Sequence, residues 1–334
     1  MERSTQMKRQ SNRKLIIICS LLVSILLTGC SSSTDALMKY KKQGTIEEYN
    51  SIVGDSAVYA DLLGSNLCVV PVGSDTGDDG NLAANATLLV NRTTNEMLYA
   101  DNIYEKLYPA SITKVMTALV TLENADLSDT VTVSHNASHI DEPGATVCGL
   151  KEGDKIKLED LLTIFLISSG NDAGIALAEH VAGSVEEFAK LMNKKAASIG
   201  AVHSNFVNPH GLHDDNHYTT AYDIYLFFNE ALKQKKFVEI INTPSYTVKY
   251  KDKDGKEVEN TFKTTNQYLK GVETAPEGIT VIGGKTGTTN KAGSCLALYT
   301  KDDKDQEYIS IILKSEGKSA LYSQMSYLLK IIKK

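Results

Sequence analysis

The sequence lacks the features that mark several common protein classes. No two of its five cysteines, Cys19, Cys30, Cys68, Cys148 and Cys295, have the close spacing of a metal site or a disulfide-rich scaffold. Cys68, Cys148 and Cys295 leave one thiol over if two pair, and all three are expected as separate small buried hydrophobes. A surplus of positive charge is also missing. The net charge is −6, and the first 29 residues hold Arg3, Lys8, Arg9, Arg13 and Lys14 against Glu2, leaving about −10 for the rest. Phosphate binding needs clustered Lys and Arg, so nucleic acid is excluded as the main partner. The longest apolar run, Leu15–Leu27, makes roughly 20 Å of helix where a bilayer core needs about 30 Å. His210, His213 and His217 sit among Asp214 and Asp215, and His135 and His139 are at i, i+4, but no H-E-x-x-H occurs. These read as loop and surface histidines, with no metal or cofactor expected. There is no internal repeat.

What is present is an ordinary globular composition, with 42% hydrophobic and 23% charged residues in a chain of 334. That length suits one large domain or two smaller ones. Residues 1–14 are polar and basic, the short apolar run follows, and small residues come next, the order of an export signal. Leu27-Thr28-Gly29-Cys30, followed by Ser31-Ser32-Ser33, resembles the lipobox of bacterial lipoproteins. That resemblance implies lipidation at Cys30 and anchoring to the outer face of the cytoplasmic membrane; the alternative is an ordinary cleaved signal or an uncleaved anchor. Residues 1–29 are thus expected as a lipoprotein signal peptide. Residues 30–83 are expected as a tether or small N-terminal extension, since Ser74–Gly80 reads as loop while Ala57–Val72 has apolar residues suited to strands. Residues 84–334 are expected as the main domain.

Within that domain the periodicity changes along the chain. Ala86–Val90 and Glu96–Tyr99 read as a hairpin. Val115, Met116, Leu119 and Leu122 fall at helical spacing, as do Leu158, Leu161, Leu162 and Phe165. Ser184-Val185-Glu186-Glu187 starts a further helix as a capping box, and Thr220–Asp223 opens another. Tyr246–Tyr250, Ile279–Ile282, Cys295–Tyr299 and Tyr308–Leu313 read as strands, and Leu321, Met325, Leu328 and Ile332 as a closing helix. The fold class is α+β: an antiparallel β-sheet flanked by helices, plus an all-helical block.

Three short motifs carry chemistry. Ser111-Ile112-Thr113-Lys114 puts a hydroxyl and an amine at i and i+3 where a helix begins, so the two side chains share a face. The helix N-terminus there favours an alkoxide and disfavours a protonated amine. Ser169-Gly170-Asn171 falls where one helix ends and another begins, so a turn can present a hydroxyl and an amide to a cleft. Lys285-Thr286-Gly287-Thr288 follows the strand Ile279–Ile282 and Gly283-Gly284; a phosphate loop is excluded because Ile279 occupies its first glycine position.

Together and in this order the motifs are specific. With Pro109-Ala110 before the serine, Asp172-Ala173 after the second motif and Phe206-Val207-Asn208-Pro209-His210-Gly211-Leu212, the chain resembles the low-molecular-mass D-alanyl-D-alanine carboxypeptidases among the penicillin-binding proteins, over about residues 84–334. The resemblance implies a β-lactamase/transpeptidase-like fold and a serine mechanism acting on peptidoglycan pentapeptide stems, with β-lactam antibiotics as covalent inhibitors. It implies Ser111 as nucleophile, Lys114 as general base with a depressed pKa, and Ser169 as proton relay. Asn171 would hold the substrate amide, while Lys285, Thr286, Gly287 and Thr288 would line the site for the terminal carboxylate; backbone N–H groups of Ser111 and Thr288 would form the oxyanion hole. Only 46 residues follow Thr288, so the C-terminal β-rich domain and amphipathic helix of many relatives are expected to be absent, with the N-terminal lipid in their place.

Two rivals share these motifs. A class A β-lactamase needs a glutamate in E-x-x-L-N between the second and third motifs, and no match is found there; Glu239-Ile240-Ile241-Asn242 is one residue short. A non-catalytic penicillin-binding sensor or scaffold is disfavoured by the presence of Ser111, Lys114, Ser169 and Lys285 together. Asn85, Asn91 and Asn136 begin N-x-[ST] sequons that read as coincidental.

Overall fold

The computed structural model describes residues 67–76 and 80–333. The expected signal peptide, the lipidation at Cys30 and most of the expected tether lie outside the described residues. In chain order the elements begin with strands β1 (Ala86–Asn91) and β2 (Glu96–Asp101). A 3-10 turn at Ala110–Ile112 leads into helix α1 (Thr113–Asn124), followed by β3 (Thr130–Thr132), α2 (His135–Ser138) and β4 (Lys155–Lys157). Five helices come next: α3 (Leu158–Ser168), α4 (Asn171–Ala182), α5 (Val185–Ser198), α6 (Ala221–Ala231) and α7 (Lys235–Ile241). The chain closes with β5 (Ser245–Lys251), β6 (Glu257–Lys263), β7 (Ile279–Thr289), β8 (Gly293–Asp302), β9 (Glu307–Ser315) and α8 (Lys318–Ile331).

The large sheet is antiparallel, in the order β2-β1-β9-β8-β7. Its central strands are apolar on both faces because both faces are covered. Leu88, Val90, Ala297, Ile309 and Ile311 point into the core shared with α1 and α6. The alternate residues Leu89, Leu296, Leu298 and Ile312 pack on Leu321, Tyr322, Met325 and Leu328 of α8. That two-residue alternation is the pleat of the strand. In α1 every residue from Thr113 to Thr121 is buried, so the helix runs through the middle of the helical block. Ser184 and Thr220 cap α5 and α6, accepting from the backbone N–H of Glu187 and Asp223. The fold is the expected α+β class.

Three features depart from the sequence reading. A second antiparallel sheet, β3-β4-β5-β6, adds three strands that the pattern did not reveal. β3 and β4 are three residues long, and β6 exposes Glu257, Glu259, Asn260 and Thr261, so neither length nor alternation announced them. Strand β7 does not stop at Ile282 but continues through the third motif to Thr289, past an irregularity between Val281 and Gly283. The boundary expected at residue 84 is also too late. Cys68 and Val70 are buried, Cys68 N–H donates to Tyr225 Oη at 2.8 Å, Tyr222 Oη donates to Cys68 O at 3.0 Å, and Tyr104 Oη bonds Val70 O. Residues 67–70 therefore belong to the packed body. Cys68, Cys148 and Cys295 are free thiols. No helix among the described residues is long and apolar enough to cross a membrane.

Candidate active site

The cleft lies where the edge strand β7 meets the helical block. Ser111 sits in the 3-10 turn ahead of α1, with Ala110 before it in the left-handed region at φ 47°. One turn on, Lys114 is wholly buried on the same face, its Nζ 2.9 Å from Ser111 Oγ. The second motif closes on this pair. Ser169 ends α3 in a left-handed conformation at φ 67°, and Asn171 opens α4. Lys114 Nζ donates to Asn171 Oδ1 at 2.7 Å and to the carbonyl oxygen of His210, also at 2.7 Å.

The third motif arrives from the sheet. Lys285 is 1% exposed and donates to Ser169 Oγ at 3.0 Å and to Thr286 O at 2.9 Å. Gly287 lets β7 come close to the turn that holds Ser111: a Cβ there would stand 2.9 Å from Pro109 O and 3.0 Å from Ser111 N. Thr286 is half-buried and Thr288 exposed, on the open side of the edge strand. All eight residues expected to line the site, Ser111, Lys114, Ser169, Asn171, Lys285, Thr286, Gly287 and Thr288, thus come from three distant segments to one cleft.

Electrostatics set the protonation of the two amines. Burial pushes Lys114 well below the usual lysine range, and the neighbouring Lys285 pushes it further in the same direction. Burial brings Lys285 down to about 7. Two ammonium groups in one dry site repel, so deprotonation of one favours the charge on the other.

Residues without a role in the sequence reading hold this arrangement. Asp172 ties the loop between α2 and β4 to the second motif: its Oδ1 accepts from Cys148 N–H at 2.8 Å, and its Oδ2 from Gly149 N–H at 2.8 Å and Leu150 N–H at 3.1 Å. Cys148 fills the space beside Gly170, where a Cβ would lie 2.3 Å from its Sγ, and burial pushes its thiol pKa up. His210 contributes its carbonyl to Lys114; Asn208 Oδ1 accepts from Gly211 N–H at 2.7 Å, and Thr117 Oγ1 donates to Pro209 O at 2.6 Å, which fixes that loop. The segment Phe206–Leu212 was visible in the sequence, but a main-chain acceptor leaves no side-chain signal.

His210 and His217 correct the expectation of surface histidines. Both are buried, and desolvation pushes them down to about 3 and about 4, so they are neutral. His217 Nδ1 accepts from Val207 N–H, which leaves the proton on Nε2 to donate at 2.8 Å to Oγ1 of Thr113, the first residue of α1. His135 and His139 do lie exposed, with stacked rings. Among the described residues no group of three or more His, Cys, Asp or Glu side chains is arranged to hold a metal ion.

An antiparallel sheet with Lys-Thr-Gly on its edge strand, facing a helical block that carries Ser-x-x-Lys and Ser-x-Asn, defines the class of the penicillin-binding proteins and serine β-lactamases. Comparison with known proteins narrows this. Residues 74–317 match the D-alanyl-D-alanine carboxypeptidase family, peptidase S11, and the chain belongs to that family. It is 35% identical over 228 residues to D-alanyl-D-alanine carboxypeptidase DacF of Bacillus subtilis, covering 65% of this chain and 54% of that protein. To DacC of Escherichia coli it is 34% identical over 254 residues, covering 74% of this chain and 60% of the relative. The chain therefore spans somewhat more than half the length of these relatives. Among solved structures, the Streptomyces K15 DD-transpeptidase superposes with a TM-score of 0.68 at 28% identity, over 75% of this chain and 96% of that one. An evolved putative penicillin-binding protein homolog from Mycobacterium tuberculosis gives 0.67 at 26% identity, over 79% and 96%.

Proposed function

We propose that this protein is a serine D-Ala-D-Ala carboxypeptidase that trims the terminal D-alanine from peptidoglycan stem peptides through an acyl-enzyme on Ser111. The observation that carries the reading is the set of partners around Lys114. A neutral amine has two hydrogens and one lone pair. Two neighbours of Lys114 Nζ, Asn171 Oδ1 and His210 O, have no hydrogen to give and so take both hydrogens. The lone pair is left for the third neighbour, the Ser111 hydroxyl at 2.9 Å. An unprotonated lysine held in this way is a general base aimed at one proton.

The reaction runs in two halves. Ser111 Oγ attacks the carbonyl carbon between the last two D-alanines while its proton moves to Lys114. The backbone N–H groups of Ser111 and Thr288 receive the oxyanion. The C–N bond then breaks as the leaving amine takes a proton through Ser169, which Lys285 holds in place. Water, deprotonated by the same relay, releases the shortened peptide and restores Ser111. Lys285, with the Thr286 and Thr288 hydroxyls, binds the substrate's terminal carboxylate, and Asn171 the amide before the scissile bond. A β-lactam presents a strained amide and a carboxylate to the same groups and acylates Ser111 with slow release. The absence of an E-x-x-L-N glutamate between the second and third motifs disfavours rapid deacylation of the class A β-lactamase kind.

The protein is exported and held to the outer face of the cytoplasmic membrane by lipid on Cys30, a reading supported by the segment Leu27–Cys30. One acyl chain alone binds membranes only marginally, so an anchor of several chains is expected. Labelling with a fluorescent penicillin, together with D-alanine release from a pentapeptide, tests the catalytic reading. The wild-type protein is expected to label and release D-alanine, and Ser111→Ala to do neither; a labelled Ser111→Ala protein would overturn the assignment. Cys30→Ala should leave the membrane fraction, and its retention there would overturn the anchor.

A further inference from the structure

Thr265 belongs to none of the motifs, yet it stands at the seam of the cleft. It lies in the segment between β6 and β7, and its Oγ1 is 2.6 Å from Thr286 Oγ1. Its backbone N–H donates to Ile167 O at 3.0 Å, a carbonyl two residues before Ser169. The segment around it is fixed on both sides: Thr264 N–H donates to Pro244 O at 2.9 Å, Tyr268 N–H to Asn266 Oδ1 at 3.0 Å, and Gln267 N–H to Tyr322 Oη at 3.0 Å. Thr265 is thereby bonded to the helix that delivers the second motif and to the strand that carries the third.

The direction of the hydroxyl pair follows from counting hydrogens. Each hydroxyl has one hydrogen and two lone pairs. Thr286 keeps its hydrogen for a ligand in the cleft only if its oxygen accepts from Thr265. Thr265 Oγ1 has no other hydrogen-bond partner among the described residues, so its hydrogen is free to take that direction. Hydrogen bonds in such a chain polarise one another, which makes the outer hydroxyl a better donor to an anion.

We infer that Thr265 is a positioning residue that donates to Thr286 Oγ1 and holds the Thr286 hydroxyl as a donor toward the substrate's carboxylate. This rests on the reading of Lys285 and Thr286 as the carboxylate site given under Proposed function. It adds a residue outside the three motifs to substrate selection.

The test compares acylation of the full chain by a penicillin and by its methyl ester, which has the same reactive ring without the carboxylate charge. Thr265→Val and Thr265→Ala remove the donor; Thr265→Ser retains it. Both donor-less variants are expected to lose about fivefold in the acylation rate constant for the acid, the size of one hydrogen bond, while the ester reacts at the wild-type rate. Thr265→Ser restores the acid rate. The unchanged ester rate serves as the check that the site is folded. An acid-to-ester ratio equal to wild type in the donor-less variants, an equal loss for both reagents, or no recovery with Thr265→Ser would each overturn the inference. A wild-type protein that neither reagent acylates would overturn the acyl-enzyme reading itself, and this one with it.

Discussion

The helical block and the sheet each bury one lysine in the same cleft, and they do so differently. On the helical side Lys114 is surrounded by Ser111 Oγ from the turn before α1, Asn171 Oδ1 from α4 and His210 O from a buried loop. On the sheet side Lys285 has Ser169 Oγ and its neighbour's carbonyl, and it stands on an edge strand whose hydroxyls face outward. All seven histidines lie between 135 and 217, within the helical half of the chain, and none in the strands of the large sheet. The contrast assigns work by environment. On the proposed reading, the amine held by two obligate acceptors serves as the base, whereas Lys285, equally buried and brought down to about 7, is still partly charged near neutrality when an anion arrives.

The comparison breaks most sharply at Lys114. Lys114→Met keeps the stem and removes the amine proposed as the base, and stopped-flow penicillin labelling should slow on the order of a thousandfold for acid and ester reagents alike. The protein should remain folded by circular dichroism, since relief of the amine's desolvation offsets part of the cost of leaving Asn171 Oδ1 and His210 O without their donor.

Lys285→Met should separate the halves. Loss of a charge-assisted bond predicts about a thirtyfold loss for carboxylate-bearing reagents and much less for the ester. The pH dependence sharpens the point. On the proposed reading Lys285 binds the carboxylate as an ammonium, and burial brings its pKa to about 7 in the free protein, so that proton is lost as pH rises through about 7. The rate constant for acylation by the acid should therefore fall above that pH in the wild type, and this limb should vanish in Lys285→Met and with the ester. A limb unchanged in Lys285→Met would place the titration elsewhere.

The smallest effect concerns stability and belongs to the helical half. Folded His217 stays neutral down to about 4, while the unfolded imidazole takes a proton below 6.5. The unfolded chain thus binds more protons in that window, and stability falls as the pH is lowered from 6.5 toward 4. About 3 kcal/mol should be lost there through this one group. His217→Gln, which keeps a donor for Thr113, should flatten the slope of urea-unfolding free energy against pH; an unaltered slope would sink the assignment.

Much of this contrast was legible before the fold was known, for reasons that differ by element. The central strands and α8 showed because alternation and helical spacing are direct records of burial. The eight residues that meet in the cleft could be named beforehand because each stands in a short motif of particular residue types at particular spacings. The small sheet did not show: β3 and β4 are too short to repeat a pattern, and β6 turns only Val258 and Phe262 toward the core, with the polar Asn260 between them. The burial of His210 and His217 was hidden because a histidine carries no mark of its surroundings. The contribution of His210 was hidden because it is made by a carbonyl, and that of Asp172 because its partners are the backbone N–H groups of Cys148, Gly149 and Leu150.

Residue types and their spacing were enough for the α+β class, for the family resemblance and for naming the residues that meet in the cleft. Their relations came only with the fold: that Lys114 meets two acceptors without hydrogens, that Lys285 reaches Ser169 across the cleft, and that Thr265 stands behind Thr286. The physical reason is that residue type and spacing encode local geometry and burial. Hydrogen-bond direction and desolvation depend on which distant segments come together, and only the folded chain fixes that.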